Sequence, residues 1–182
     1  MVALPASSEL VYTTNMESNT VSELELSSKK LLRIIPMPEM PEAITVNASG
    51  TELWVGSNAD GLVTVFDLTN GTKIKQWQGF RFPYRILLTR DQRYAVIPDF
   101  RNNTLDIIDV NQKSKLNQVT FEKGTAPNGV TFHPDDRTLF MSSKGKNKVW
   151  VIDIPTGKLL FELPTGEGPD GVGYSSLQMR HD

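Results

Sequence analysis

The chain has 182 residues, and 19 Lys plus Arg stand against 21 Asp plus Glu, so its formal net charge is −2. This near-balance argues against a dedicated nucleic-acid-binding protein, whose phosphate contacts need a concentrated excess of Lys and Arg. The absence of cysteine excludes disulfides, thiolate nucleophiles and Cys-ligated metal centres.

The N-terminal segment predicts no export of the chain as written. Residues 1–9 have neither the basic stretch nor the apolar run of a secretory signal. The chain also lacks an apolar run of roughly 20 residues, the length that crosses a bilayer. We therefore expect no insertion into a membrane.

An internal repeat organises the sequence. Four prolines, Pro41, Pro83, Pro127 and Pro169, follow one another at intervals of 42, 44 and 42 in the numbering. A second landmark, Asp67, Asp109 and Asp153, keeps intervals of 42 and 44. Counting back by 42 from Asp67 reaches Glu25, so the segment before Pro41 forms another copy.

Each copy reads as four short strands. In the second copy, segments 43–46, 53–56, 62–68 and 73–77 are rich in β-branched and aromatic residues, and turn-forming residues separate them. Segment 24–35 has apolar residues near helical spacing, but the repeat register assigns it to the end of a third strand, a turn at 27–29 and a fourth strand. Four strands in each repeat of this length are typical of a β-propeller blade.

We therefore predict an all-β fold: a β-propeller segment of about four four-stranded antiparallel blades. The predicted domain spans 1–176, with blades at about 1–35, 41–78, 83–121 and 127–163, an inner-strand stub at 168–175 and a tail at 177–182. A surplus inner strand predicts that the chain is part of a larger ring, or that two chains pair. We expect the exposed blade faces to favour self-association, and a truncated product without independent function stays open as a third interpretation.

The repeat resembles a known family. The residues that carry the resemblance are a proline that begins the inner strand, turns such as Asp91-Gln92-Arg93, and V-x-V-I-D-like segments at 63–67, 105–109 and 149–153. Together they resemble the YVTN β-propeller repeat, which is similar to the WD40 repeat. Such repeats occur in lactonase-like propellers, in quinoprotein-type dehydrogenase subunits, in the haem-binding propeller of cytochrome-type nitrite reductase and in surface-layer proteins. The resemblance implies a periplasmic or cell-surface location for a longer parent protein.

Several apparent motifs have structural explanations. Segment 166–171 matches G-x-G-x-x-G, but a dinucleotide site needs a helix after it, and the repeat predicts a tight connection instead. His133 has no second histidine within its repeat, so we expect a turn residue rather than a metal ligand. The repeated Asp67, Asp109 and Asp153 lie one blade apart and are expected to accept turn hydrogen bonds.

Lysines and tryptophans are interpreted in the same way. Lys144, Lys146 and Lys148 form the densest cationic cluster. We interpret it as a solvated hairpin loop, and the alternative is a site that binds an anion. Trp54, Trp77 and Trp150 are expected to pack between blades. No catalytic residue, metal ligand or cofactor motif is predicted.

The candidate binding surface is the entrance face of the ring, where connections into inner strands meet loops between second and third strands. Segment 98–101 departs most from the turn chemistry of its sister copies, and such departures often mark function. The predicted ligand-binding residues are Glu42, Asp60, Tyr84, Arg85, Asp99, Phe100, Arg101, Asn128, Lys144 and Asp170.

The sequence thus favours a non-catalytic scaffold that binds a protein, a peptide or a small polar ligand at this face. The alternative is a fragment of a propeller enzyme, lactonase-like or of the quinoprotein type, whose active groups lie outside this chain. The sequence does not decide whether the protein is an enzyme.

Overall fold

The computed structural model describes residues 1–5 and 9–177. Within them the fold is all-β: 16 strands form four antiparallel sheets of four strands, and the described residues contain no helix. The first sheet comprises β1 (Val2–Ala3), β2 (Leu10–Asn15), β3 (Thr20–Glu25) and β4 (Lys30–Pro36). The second comprises β5 (Pro41–Val46), β6 (Glu52–Ser57), β7 (Leu62–Asp67) and β8 (Lys73–Gln78).

The third sheet comprises β9 (Leu87–Leu88), β10 (Tyr94–Asp99), β11 (Thr104–Asp109) and β12 (Ser114–Thr120). The fourth comprises β13 (Pro127–Phe132), β14 (Thr138–Ser143), β15 (Lys148–Asp153) and β16 (Lys158–Pro164). Each sheet is a meander in which consecutive strands pair. The predicted fold class, a partial β-propeller, is confirmed.

The repeat extends to irregularities of the backbone. The pairing of the third with the fourth strand shifts register once in every sheet, after Glu23, Val65, Ile107 and Val151. These positions keep the spacing of the sequence repeat. A β-bulge at a fixed place increases local twist, so every sheet is twisted in the same way before it packs on the next.

The hydrophobic core lies between sheets. One buried cluster joins the first and second sheets through Tyr12, Val21 and Leu53, and a second joins the second and third sheets around Trp54 and Ile97. A third cluster joins the third and fourth sheets and includes Leu105, Leu139 and Trp150. The predicted packing role of the three tryptophans is confirmed, since Trp77 packs on the second cluster.

The segment predicted as an inner-strand stub differs from the prediction in one respect. Residues 165–177 carry no strand, yet the segment lies against β14, where the hydroxyl of Ser142 donates to the carbonyl oxygen of Asp170 at 2.6 Å. An equivalent bond from Thr14 to the carbonyl oxygen of Glu42 joins the first and second sheets at 3.2 Å. The segment therefore takes the place of a next inner strand. Of the predicted tail, residues 178–182 lie outside the described residues.

Candidate functional site

The loops of the entrance face are connected by a repeated asparagine. Asn19, Asn103 and Asn147 stand at the same repeat position, each with a positive φ between 54° and 57°. Each side-chain oxygen accepts the backbone N–H of the next inter-sheet connection, at Met40, Ala126 and Gly168, with distances of 2.9, 3.1 and 2.9 Å. The loops between second and third strands are thus held against the connections into inner strands, as the topology predicted.

Asp99 joins two of these loops. Its carboxylate is fully buried at the end of β10 and accepts the backbone N–H of Arg81 at 2.8 Å and of Phe82 at 3.0 Å. It also accepts the N–H of Asn102 at 3.0 Å and the side-chain amide of that residue at 2.9 Å. A buried carboxylate needs several hydrogen-bond donors to offset the cost of its desolvation. The Asp99 side chain therefore holds the two loops together through hydrogen bonds and does not face solvent.

Five side chains on these two loops form an aromatic–arginine cluster: Phe82, Tyr84, Arg85, Phe100 and Arg101. The three aromatic rings contact one another, with centroid separations of 5.9 to 6.0 Å. The guanidinium carbon of Arg85 lies 4.2 Å from the centroid of the Tyr84 ring, and that of Arg101 lies 5.0 Å from the centroid of Phe82. These are cation–π distances, and they hold both cations at the entrance face.

A hydrogen-bonded group adjoins the cluster. The Tyr84 hydroxyl donates to Oδ1 of Asp170 at 3.2 Å, and Nδ2 of Asn128 donates to the same oxygen at 2.8 Å. Asn128 is fully buried, and its own side-chain oxygen lies 2.9 Å from the hydroxyl oxygen of Ser142. Partial burial, followed by the charge of Asp170, raises the pKa of Tyr84, although Arg85 opposes that shift. Tyr84 therefore stays a protonated donor at neutral pH.

Six of the ten predicted site residues thus meet in one region: Tyr84, Arg85, Phe100, Arg101, Asn128 and Asp170. Asp99 lies beneath them. Glu42 and Asp60 lie on the second sheet, where Glu42 accepts the side-chain amide of Asn58 and Asp60 accepts the backbone N–H of Glu39 at 2.7 Å. Lys144 lies on the loop after β14, and its side chain is exposed.

The sequence analysis missed two residues of this region. Phe82 contacts both other rings, and its own ring lies under the guanidinium of Arg101; its signal is an aromatic residue where sister copies have Met40, Ala126 and Gly168. Met1 contributes its sulfur, 3.2 Å from Nη1 of Arg85, and only this tertiary contact reveals it. Asn58, which the topology places at the entrance face, is buried, and its side-chain oxygen has no partner within the described residues.

The residues interpreted as structural behave as predicted. Asp67, Asp109 and Asp153 accept backbone N–H groups of their turns, from Thr69, Gln112 and Thr156. His133 accepts the N–H of Asp135 in its own turn, and no helix follows segment 166–171 within the described residues. Lys146 pairs with Glu122 and Lys148 with Glu162, which leaves Lys144 as the exposed cation of that cluster.

Residues 1–5 and 9–177 hold no group of three His, Asp or Glu side chains placed to bind a metal ion. In the same part of the chain, no helix is long and apolar enough to span a membrane.

The four successive meanders packed face to face define the class of this protein: it is a β-propeller segment. Among solved structures it is similar to hydrazine synthase of Kuenenia stuttgartiensis, with a TM-score of 0.80 and 21% identity over 89% of this chain and 47% of that one. It is also similar to the β-propeller domain of Cps50 (Swd1) from Myceliophteria thermophila, with a TM-score of 0.76 and 13% identity over 92% of this chain and 55% of that one.

These similarities establish the fold alone, because both sequence identities are low. The chain spans about half the length of each matched structure. No protein-family model and no curated protein matches the sequence.

Proposed function

We propose that this chain is a non-catalytic binding scaffold, and that its entrance face holds an acidic segment of a protein or peptide. The observation that carries the proposal is the aromatic–arginine cluster, in which two arginines lie on neighbouring ring faces. Arg101 is exposed, and the three rings and Arg85 are partly exposed. All five side chains are therefore accessible to a partner.

The composition of the cluster suits protein recognition. Arg and aromatic residues are enriched among residues that dominate binding energy at interfaces. A guanidinium presents a rigid fork of donors that matches both oxygens of a carboxylate. Since Arg85 and Arg101 are held by rings, less rotamer entropy is lost when they bind.

Charged residues around the cluster are distributed unevenly over the entrance face. On the side of the third and fourth sheets, exposed cations outnumber exposed carboxylates, with Arg81, Arg101, Lys123 and Lys144 against Glu122, Glu167 and Asp170. On the side of the first and second sheets, Glu17, Glu39 and Asp60 are exposed. An acidic partner is attracted to the side of the third and fourth sheets and repelled by the side of the first and second. Such complementarity chiefly raises association rates and fixes orientation.

We further propose that the blades are of the YVTN type, in a protein of the periplasm or the cell surface. In support, the V-x-V-I-D-like segments form the third strand of the second, third and fourth sheets. The alternative that the resemblance implies, a segment of a propeller enzyme, remains a prediction of the sequence.

Fluorescence anisotropy with a fluorescein-labelled octaglutamate peptide tests the binding proposal. We expect saturable binding that weakens with salt, and an octalysine peptide that does not bind. Replacing both Arg85 and Arg101 by Ala should weaken octaglutamate binding at least tenfold, a loss typical of dominant interface residues.

Arg90→Ala is the matched control, because Arg90 is an exposed arginine in the turn between β9 and β10, away from the entrance loops. It should leave the dissociation constant within twofold of the wild-type value. Equal binding by the wild-type and doubly substituted proteins would overturn the proposal, and so would an equal loss in the Arg90 variant.

A further inference from the structure

Every internal junction between sheets uses the same two faces. The leading face of a sheet, which packs on the sheet before it, presents Ile44, Leu53 and Leu68 in the second sheet. The third sheet presents Ile86, Ala95 and Val110 at the same repeat positions, and the fourth presents Val130, Leu139 and Ile154. A leading face is thus defined by three apolar positions.

The trailing face, which packs on the following sheet, is equally regular. Tyr12, Val21 and Ile35 form it in the first sheet. Trp54, Val63 and Trp77 form it in the second, and Val96, Leu105 and Val119 form it in the third. Each junction therefore buries an apolar trio of the trailing face against an aliphatic trio of the leading face.

The first sheet has a leading face on which no other sheet of the described residues packs. Counting back by 42 from Ile44, Leu53 and Leu68 gives Val2, Val11 and Leu26. Val2 is 59% exposed and Leu26 is 53% exposed, whereas their counterparts Ile44 and Leu68 are both 7% exposed. The leading face of the first sheet therefore has the apolar residues that form a junction elsewhere, but these residues are exposed.

The fourth sheet has a trailing face with little upon it. Counting forward by 44 from Val96, Leu105 and Val119 gives Phe140, Val149 and Leu163. Leu163 is 43% exposed, and the neighbouring Phe161 is 52% exposed. The only cover that the described residues provide is segment 168–175, whose Tyr174 ring stacks on Phe140 at a centroid distance of 6.4 Å.

We propose that a second copy of this chain covers both faces, leading face on trailing face, so that two chains close one eight-bladed ring. One two-fold axis forms both junctions at once, which is the commonest symmetry of homo-oligomers. Propellers typically have four to eight blades, and this chain covers 55% of a solved β-propeller domain. Two copies therefore supply about the length of a whole propeller.

Closing the ring requires β1 of the second copy to replace segment 168–175. Segment 168–175 occupies the place of a fifth inner strand, which is the place that β1 of the second copy must take. Within the described residues this segment forms no strand, whereas β1 is already paired with β2 through Val2 and Ala3. The segment is therefore the one displaced, and weakening its contact with Phe140 should favour the dimer.

Analytical ultracentrifugation over a concentration series of the full chain tests the proposal. We expect a dimer, with twice the mass of the single chain, in equilibrium with the 20.3 kDa monomer. Leu26→Lys on the leading face and Leu163→Lys on the trailing face should each weaken dimerisation at least tenfold. Leu116→Lys is the matched control, because Leu116 is 49% exposed on β12 of an internal sheet.

Mixing distinguishes the direction of the junction. Equimolar Leu26→Lys and Leu163→Lys chains have one intact leading face and one intact trailing face between them, so they should dimerise more tightly together than either does alone. Tyr174→Ala should tighten the wild-type dimer by removing the stacked ring. Circular dichroism establishes that each variant is folded, and Val2→Lys replaces Leu26→Lys if the latter is not.

Several results would overturn the proposal: a wild-type chain that stays monomeric at the top of the concentration series, a mass that rises with concentration without a limit, or face variants that behave like Leu116→Lys. A dimer that both face variants abolish but their mixture does not restore would mean like-with-like pairing of faces, which also overturns it. An unchanged dimer in Tyr174→Ala would reject the exchange of segment 168–175.

Discussion

Asp99 shows how a single residue shapes the entrance face. Its counterparts in the second and fourth sheets are Ser57 and Ser143, whose hydroxyls donate to carbonyl oxygens of the preceding connections, at Pro38 and Thr125. A carboxylate cannot donate, so the connection before β9 turns N–H groups toward Asp99 instead. This reversal places Phe82 and Tyr84 beside Phe100, and it gives the third sheet a different entrance from its neighbours.

Asp99→Asn should lower the free energy of unfolding by about 2–3 kcal/mol, since one carboxylate oxygen becomes an amide N–H that faces donors, and hydrogen bonds to charged groups contribute about this much. Urea denaturation followed by circular dichroism measures the change. Asp60→Asn is the control: Asp60 is exposed and accepts one backbone N–H from Glu39, so its loss should stay below about 1 kcal/mol. Equal losses for the two variants would contradict the structural role of Asp99.

At the scale of the strand and loop, the residue just before each third strand occupies one repeat position. Asn19, Asn103 and Asn147 have positive φ before β3, β11 and β15, and Gly61 takes their place before β7 with a φ of 63°. Gly61 lacks the side chain that joins the loops elsewhere. Its backbone instead approaches the next connection directly, and Phe80 donates its N–H to the carbonyl oxygen of Gly61 at 3.2 Å.

Gly61→Ala should therefore be costly for two reasons. The left-handed backbone alone disfavours a Cβ by about 1–2 kcal/mol, and a Cβ at this position would lie 2.2 Å from the carbonyl oxygen of Phe80. Gly71→Ala isolates the first effect, because Gly71 has a φ of 74° and open space around it. Thermal or urea unfolding should show at least about 1 kcal/mol more destabilisation for Gly61→Ala, and equal losses would mean that the loop moves away freely.

At the scale of the whole molecule, stability should follow the stacking of sheets. The third sheet is covered on both faces, by the second and third hydrophobic clusters. By contrast, all seven residues of β16 are exposed. In repeat architectures each unit is stabilised by its neighbours, so the centre of the arc should be the most stable part.

Hydrogen exchange measured by mass spectrometry tests this gradient. Amides of β10 and β11 should exchange slowest, because most of their residues are buried, and those of β16 should exchange fastest among the strands. Amides of β12 provide an internal comparison, as an outer strand of a sheet that is covered on both faces. Equal exchange rates in β16 and β11 would show that the chain opens only as a whole.

The sequence alone determined the architecture of this protein. Period and strand pattern predicted an all-β propeller segment, because each repeat must bury the same faces and so repeats the same apolar positions. The same register correctly rejected a helix over 24–35 and assigned the repeated aspartates to turns. The topology of the repeat also placed Tyr84, Arg85, Phe100 and Arg101 at the entrance face, and segment 98–101 departs most from its sister copies.

Only the tertiary structure decided what those residues do. The sequence could not separate the buried Asp99 from its exposed neighbour Arg101, because burial of a loop carboxylate depends on a connection 17 to 18 residues away. Nor could it place Tyr84 against Asp170 across 86 residues. Local pattern encodes which strands form, whereas contacts between loops arise only after sheets have packed side by side.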